Sequence, residues 1–372
     1  NGEIYNHLEI KSKIEQQSQK KSSYYWNGNS DTEILLESIS TFGILETLKS
    51  IRGMFAFALW DCLKKELYLA RDRMGEKPLY YGWIENSFVF ASELKSIKQH
   101  PKFQNEICRN SLSLYVRYNY IPNPWSIYKN IFKLQPGYFI KINTSSADNS
   151  PIFENQYPKT KDQFILSSYW DMKSAILASK ENIITDKSEA KIVVENKLRE
   201  VIKMQSVADV PLGAFLSGGI DSSLIVALMQ SESSNKINSF TIGFNEEKYN
   251  EANFSKKIAE HLGTNHTEMY VESKDALDLI PYLSEIYDEP FADSSQIPTH
   301  LISKLSRKKV KVSLSGDGGD EIFGGYYRYI RGPLLWKLMS PIPLNIRIKI
   351  AHILGKIPVE KYQRIQDRHN TI

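Results

Sequence analysis

The chain has 372 residues, of which 41% are hydrophobic, enough apolar side chain for more than one core at roughly 100–200 residues per domain. Its 47 basic and 43 acidic side chains nearly cancel, to a net +4, and no Lys/Arg stripe interleaves with aromatics, so no nucleic-acid partner is expected. The two cysteines, Cys62 and Cys108, lack CxxC spacing, which argues against a zinc site or disulfide framework and for a reducing cytoplasm; no apolar run approaches the ~18 residues of a membrane span, so no membrane partner is expected either.

The sequence opens on Asn1-Gly2-Glu3, which alone reads as a hairpin turn. "SDTEILLESISTFG" (30–43) follows as a capped helix: its first turn is acidic, Ile34, Leu35, Ser38 and Ile39 lie on one stripe, and Gly43 ends it. "GMFAFALWD" (53–61), "KELYLARD" (65–72), "PLYYGWIE" (78–85) and "SFVFASE" (87–93) are short aromatic runs between turn residues, the pattern of antiparallel strands. Residues 143–163 are rich in Ser, Asn, Asp, Pro and Lys with little periodicity. They are read as a linker dividing residues 1–142 from 164–372, with a surface loop inside one domain as the alternative.

From about residue 186 strands and helices alternate. Asp186 and Glu189 have capping-box spacing ahead of a helix with Val194, Leu198, Val201 and Ile202 on one stripe. Strands are predicted at 210–217, 239–244, 266–271 and 309–316, and helices at 222–230, 251–263, 273–284 and 295–306. Such alternation implies parallel βαβ units in a doubly wound sheet, which binds ligands at the carboxyl ends of its strands. The run "SRKKVK" (306–311) reads as a solvated helix end. "YYRYIRGPLLWKLMSPIPLNIRIKI" (326–350) reads as amphipathic helices flanking Pro341 and Pro343.

Two of the expected strand ends carry unusual loops. "LSGGIDSS" (216–223) is neither a Walker A loop nor GxGxxG, yet Ser217, Gly218 and Gly219 place backbone N–H groups in a tight turn feeding a helix N-terminus, an arrangement that suits phosphate. Asp221 beside it would repel phosphate unless it caps the helix or a Mg²⁺ lies between. "SLSGDGGDEIFGGY" (313–326) adds Asp317, Asp320 and Glu321 on a Gly-rich turn, able to hold Mg²⁺ with water or simply to form a good loop.

These loops, with "DEPFADSSQIPTHLISKLSR" (288–307) and the N-terminal "NGEIYN…SDTE…RGMFAFALWD…ARDRMGEKPLYYG", resemble the glutamine-hydrolysing asparagine synthetases, in several blocks from residue 1 to about 330. The resemblance implies a glutaminase with an Ntn-hydrolase αββα sandwich followed by a doubly wound ATP pyrophosphatase domain. It implies ATP and Mg²⁺ as cofactors and glutamine and aspartate as small-molecule substrates, the aspartate side chain being adenylated and then amidated by ammonia carried through a tunnel. It leaves a homodimer open. By similarity, the Asn1 side-chain amide and Gly2 N–H stabilise the glutaminase oxyanion, and Asn1, Gly2, Glu3 and Asp31 bind glutamine. Leu216, Ser217, Gly218, Gly219, Asp221, Ser222, Ile242, Ser315 and Gly316 match ATP-binding positions, and Asp221 and Asp320 match the pair that holds Mg²⁺.

The sequence departs from the family pattern in three respects. Neither Cys62 nor Cys108 can supply the N-terminal nucleophile of the glutaminase, and both are read as structural. Asp317 stands where many members carry a Glu that handles the proton of the incoming ammonia, which leaves room for another carboxylate acceptor such as a sugar acid of a surface polysaccharide. No residue matches the family's C-terminal Lys. The sequence is therefore read as an internal part of a longer chain, inactive by itself, and a non-catalytic ATP-binding scaffold is the remaining alternative.

Overall fold

The computed structural model of the chain describes residues 1–18, 26–143, 153–154, 157–158, 164–207, 210–244, 250–354 and 356. In chain order the strands of the first unit are β1 (Gly2–Ile4), β2 (Gly53–Asp61), β3 (Glu66–Arg71), β4 (Tyr80–Ile84), β5 (Ser87–Ala91), β6 (Ile131–Lys133), β7 (Tyr138–Asn143), β8 (Phe153–Glu154), β9 (Tyr157–Pro158) and β10 (Phe164–Ser168). They form a five-stranded sheet in the order β1-β2-β3-β7-β10, a three-stranded sheet β5-β4-β6, and the short β8-β9 ladder, all antiparallel.

Period-two alternation decides how these sheets stack. On β3 and β7, Leu69, Ile140 and Ile142 point into a core shared with Tyr81, Phe132 and Leu134 of the smaller sheet and its flank. Their neighbours Tyr68, Ala70 and Phe139 point the other way, onto Ile10, Ile14 and Ile34 of the helices His7–Ser18 and Asp31–Phe42. On β4 the same switch separates Tyr81 from Tyr80, which packs on Leu94 and Ile97 of the helix Leu94–Ile97. Sheets with both faces apolar must be covered twice, and an αββα sandwich results. Between the sheets Tyr81 contacts Trp83, Phe88, Phe132 and Phe164 with ring centroids 5.8–6.3 Å apart, pairs worth about 0.5–1.5 kcal/mol each beyond their burial.

The second unit is an α/β layer. Strands β11 (Leu212–Phe215), β12 (Asn238–Phe244), β13 (Asn265–Val271) and β14 (Val312–Leu314) are parallel, in the order β13-β12-β11-β14. The chain moves outward from β11 through β12 to β13 by way of helices Ile220–Glu232 and Ala252–Leu262, then returns past β11, through helix Gln296–Ser306, to β14. Direction therefore reverses at β11, and the carboxyl ends of β11 and β14 flank the crevice where such sheets bind ligands. Ile202, Ala214, Leu216, Val226, Leu228, Met229 and Ala259 form the core beneath it.

Several expectations shift. The strand predicted at 309–316 is ordered as ladder only over Val312–Leu314, because Ser315 and Gly316 turn away to meet the loop after β11. The helix predicted over 273–284 breaks into Ser273–Leu279, a 3₁₀ turn at Ile280–Tyr282 and Leu283–Ile286; Pro281 lacks the N–H that a continuous helix needs. Phe164–Ser168, expected in the second half, pairs with β7 and closes the first sheet. The stretch 143–163, much of which lies outside the described residues, thus joins two neighbouring strands of one sheet; low periodicity alone does not distinguish such a loop from a linker. Cys108 is buried, but Cys62 is exposed in the β2–β3 turn and packs in no core, contrary to the structural role expected of it. Helices Arg328–Met339 and Leu344–Leu354 form on either side of the predicted Pro341 and Pro343. Among the described residues no helix is long and apolar enough to cross a membrane.

Candidate functional site

The loop after β11 is braced by its own serines. Ser217 Oγ and Ser222 Oγ lie 2.9 Å apart, Ser217 N–H donates to Ser222 Oγ at 3.2 Å, and the Ser222 and Ser223 hydroxyls donate to Gly219 O at 3.3 and 2.6 Å. Gly218 adopts φ +86°, a left-handed turn that a side chain disfavours. Gly219 is the N-cap of the 13-residue helix Ile220–Glu232 and has no side chain with which to cap it, so the first backbone N–H groups and the positive end of the helix dipole remain available to an anion. Ser222, which matches an ATP-binding position, and its neighbour Ser223 thus both direct their hydroxyls to the turn itself.

The loop after β14 interlocks with this one. A Cβ on Gly316 would lie 2.7 Å from Ser222 N and 2.9 Å from Asp221 C, and one on Gly319 would lie 2.5 Å from Asp221 Oδ2. Only glycine permits so close an approach, and it places the Asp221 carboxylate against the residue preceding Asp320. Ser315 Oγ donates to Asp317 Oδ2 at 2.9 Å. Tyr326 donates to Glu321 Oε1 at 2.7 Å and holds that carboxyl below its usual range. No Lys or Arg forms an ion pair with Asp221, Asp317 or Asp320, and no cluster of three or more metal-ligating side chains occurs, among the described residues. Leu216 and Ile242 differ: Leu216 is fully buried in the core, with its N–H donating to Phe240 O at 2.8 Å, whereas Ile242 on β12 is half-buried.

The remaining candidates meet at the outer edge of the first sheet. Asn1 and Ala56 exchange two backbone hydrogen bonds, so by the alternation of an antiparallel ladder the next N–H, that of Gly2, points away from β2 to the free edge. Gly2 has φ +132°, and a Cβ there would lie 2.0 Å from Met54 O. Two residues on, the same edge is occupied: Ile4 N–H donates to Asp31 Oδ2 at 2.9 Å, tying the start of helix Asp31–Phe42 to β1. The Glu3 side chain is exposed beside it. This end of the sheet is electronegative: burial, then the charges of Glu76, Glu3 and Asp72, push the Tyr5 phenol up to about 12, and burial followed by Asp72 raises the Glu76 carboxyl.

Sequence reasoning missed two contributors. Asn1 Nδ2 donates to Ser92 Oγ at 3.3 Å, across 91 positions of chain that no local signal links. Asp72, within the quoted "ARDRMGEKPLYYG" block, is fully buried and accepts from the N–H groups of Phe55, Met74, Glu76 and Lys77. It shapes the turn after β3 rather than meeting a ligand.

An antiparallel αββα sandwich is thus followed by a parallel α/β sheet with glycine loops at its switch point, a two-part architecture. Residues 1–155 match the glutamine amidotransferase domain family and residues 193–369 the asparagine synthase family. A protein of Methanocaldococcus jannaschii provisionally named glutamine-hydrolysing asparagine synthetase 2 is 37% identical over 367 residues, covering 97% of this chain and 64% of that protein. Glutamine-hydrolysing asparagine synthetase 1 of Bacillus subtilis is 32% identical over 360 residues, covering 96% of this chain and 52% of that protein. The chain thus joins a glutamine amidotransferase domain to an asparagine synthase domain, in the order its glutamine-hydrolysing asparagine synthetase relatives suggest. It spans between about half and two thirds of the length of these curated relatives.

Proposed function

We propose that the protein containing this chain is a cytoplasmic, glutamine-dependent ligase that activates aspartate with ATP as β-aspartyl-AMP and converts it to asparagine, releasing AMP and pyrophosphate. The observation that carries this reading is the interlock of the loops after β11 and β14 around Asp221, at the switch point of a parallel sheet. An uncapped helix N-terminus and the Ser217–Gly219 turn suit a pyrophosphate, with Ser315, Gly316, Ile242 and Leu216 at the strand ends around the rest of the nucleotide. Asp221 and Asp320, which form no ion pair with a Lys or Arg among the described residues, suit Mg²⁺, which favours few carboxylates plus phosphate oxygens and water. Bound there, Mg²⁺ would offset charge on the phosphates. Asp317, oriented by Ser315, is the carboxylate for the proton of incoming ammonia.

In the first unit, the Gly2 N–H and the Asn1 amide are the donors for the oxyanion formed when glutamine is attacked, a contribution of about 3 kcal/mol for one such donor. Glu3, Asp31 and the electronegative surroundings of Tyr5 suit the α-ammonium of glutamine.

Pyrophosphate release by the full-length protein, followed with glutamine or ammonium and with each carboxylate acceptor in turn, tests the reading. Aspartate-dependent release is expected; release with another acceptor only, such as a sugar acid, would reassign the substrate. ATP with Mg²⁺ at about 100 times its Kd should add about 2.7 kcal/mol of stability, read as a rise in Tm. Gly316→Ala should abolish that rise by driving the two loops apart. Gly263→Ala, at a φ of +72° with nothing within 4 Å, should cost about 1 kcal/mol of stability and keep it.

A further inference from the structure

The segment Asp288–Ala292, part of the quoted "DEPFADSSQ" block, lies between the second unit's strand β13 and the helix Gln296–Ser306, yet its polar groups are fastened to the first unit. Asp288 Oδ2 accepts from Leu94 N at 2.7 Å and its Oδ1 from Lys95 N at 3.3 Å. Glu289 Oε1 accepts from Ile127 N at 2.7 Å, and its Oε2 pairs with Lys133 Nζ, which also donates to Ile121 O at 2.6 Å. Ala292 N–H donates to Asn119 O at 2.8 Å. Both carboxylates are largely buried at these contacts, and none of these bonds belongs to a strand ladder.

Asp288 makes the connection specific. The helix Leu94–Ile97 has Glu93 at its N-cap position, and that side chain caps nothing. The cap comes instead from Asp288, 194 positions away in the chain. Two residues before Leu94 stands Ser92, whose hydroxyl receives the Asn1 amide at the sheet edge. In the other direction the segment runs into helix Gln296–Ser306, which packs on β12 and leads to β14 and the Ser315–Asp320 loop. One covalently continuous piece of the second unit thus holds the turn that orients Asn1.

We propose that Asp288 and Glu289 are positioning residues that couple the two sites: Glu289 anchors the segment leading into the nucleotide loops at Ile127 and Lys133, and Asp288, through Leu94 and Ser92, sets the Asn1 amide according to that segment's placement. This deepens the amidotransferase reading and rests on it. Misplacement of a catalytic group by about 1 Å costs up to about 100-fold, so loosening the cap should be felt at Asn1 without touching the ATP loops.

The test uses the full-length enzyme carrying Asp288→Ala, Asp288→Asn or Glu289→Gln, with glutamate and pyrophosphate measured together under glutamine or ammonium supply. Expected is a change of about ten-fold in glutamate released per pyrophosphate with glutamine, while the ammonium-driven kcat stays within about two-fold. Asp288→Asn keeps the shape and one acceptor, so it reports even where Asp288→Ala does not fold. An unchanged ratio in both Asp288→Asn and Glu289→Gln, or equal loss of the glutamine- and ammonium-driven rates, overturns the coupling and leaves a merely structural contact. An unaltered enzyme that releases no pyrophosphate with either nitrogen source overturns the amidotransferase reading and this proposal with it.

Discussion

At Asp72 a single carboxylate organises the turn that follows β3. It is fully buried and its oxygens receive four backbone N–H groups, while the neighbouring Arg71 guanidinium donates to the carbonyls of Gly75, Lys77 and Leu134. Such a carboxylate is stable only because every lone pair is used. Asp72→Asn is isosteric but turns an amide NH₂ toward groups that are themselves donors. It should cost about 3 kcal/mol, read as a lower midpoint in urea unfolding, and a change below about 0.5 kcal/mol would show that the turn holds without the charge. The sequence displayed this residue inside a block of the family pattern but carried no sign of its burial. Asn1, Gly2 and Asp31 were more legible, since their types and spacing matched a pattern; Ser92 was not, because a serine after a strand has no local feature that points to Asn1.

Among the elements, those whose apolar residues repeat at a fixed period were readable in advance. β2 forms over the predicted 53–61, and the helix predicted from Asp186 runs Lys187–Gln205 with the Asp186 carboxylate accepting from Glu189 N at 2.8 Å. Asp186→Ala should therefore cost about 1 kcal/mol, seen as a fall in the free energy of unfolding of the second unit. The helix is mostly exposed along its first turns, so little packing is available to mask the lost cap, and an unaltered stability would mean that water replaces it. Boundaries were less legible where a strand ends at a site. β14 stops at Leu314 because Gly316 must lie against Ser222 N, a constraint imposed by a loop almost a hundred residues away. The strand Phe164–Ser168 carried no mark of the sheet it would join, since backbone pairing is indifferent to which side of a polar loop a strand falls on.

For the whole molecule, Lys133–Glu289 is the most buried of the ion pairs between the units among the described residues. Burial raises the Glu289 carboxyl despite Lys133 and the Ile127 N–H, which lower it. A folded pKa above the unfolded one means that the folded state binds more protons in the window between them. Glu289 therefore contributes fully below its ordinary carboxylate range, and that contribution is lost as pH rises through the raised value. Lys133→Met removes the opposing cation and should cost about 3–5 kcal/mol near neutral pH, with part of the loss recovered on acidification because protonated Glu289 needs no partner. Denaturant melts at several pH values check this, and a loss that deepens toward acid would contradict the assignment. Adding Glu289→Gln to Lys133→Met should restore most of the neutral-pH stability.

Composition, period and the chemistry of short loops are local properties, and they pointed to the antiparallel and parallel halves and to candidate residues for both sites, while a resemblance in several motifs pointed to the family. Tertiary structure alone decided what lies between those residues. The strand order β13-β12-β11-β14 brings two distant glycine loops together around Asp221, and the ladder register turns the Gly2 N–H outward. Asp288 caps a helix of the other unit. Each of these is a pairing between groups far apart in the chain, fixed by sheet order and by the need to satisfy buried polar atoms, and a sequence displays such groups without saying which of them will meet.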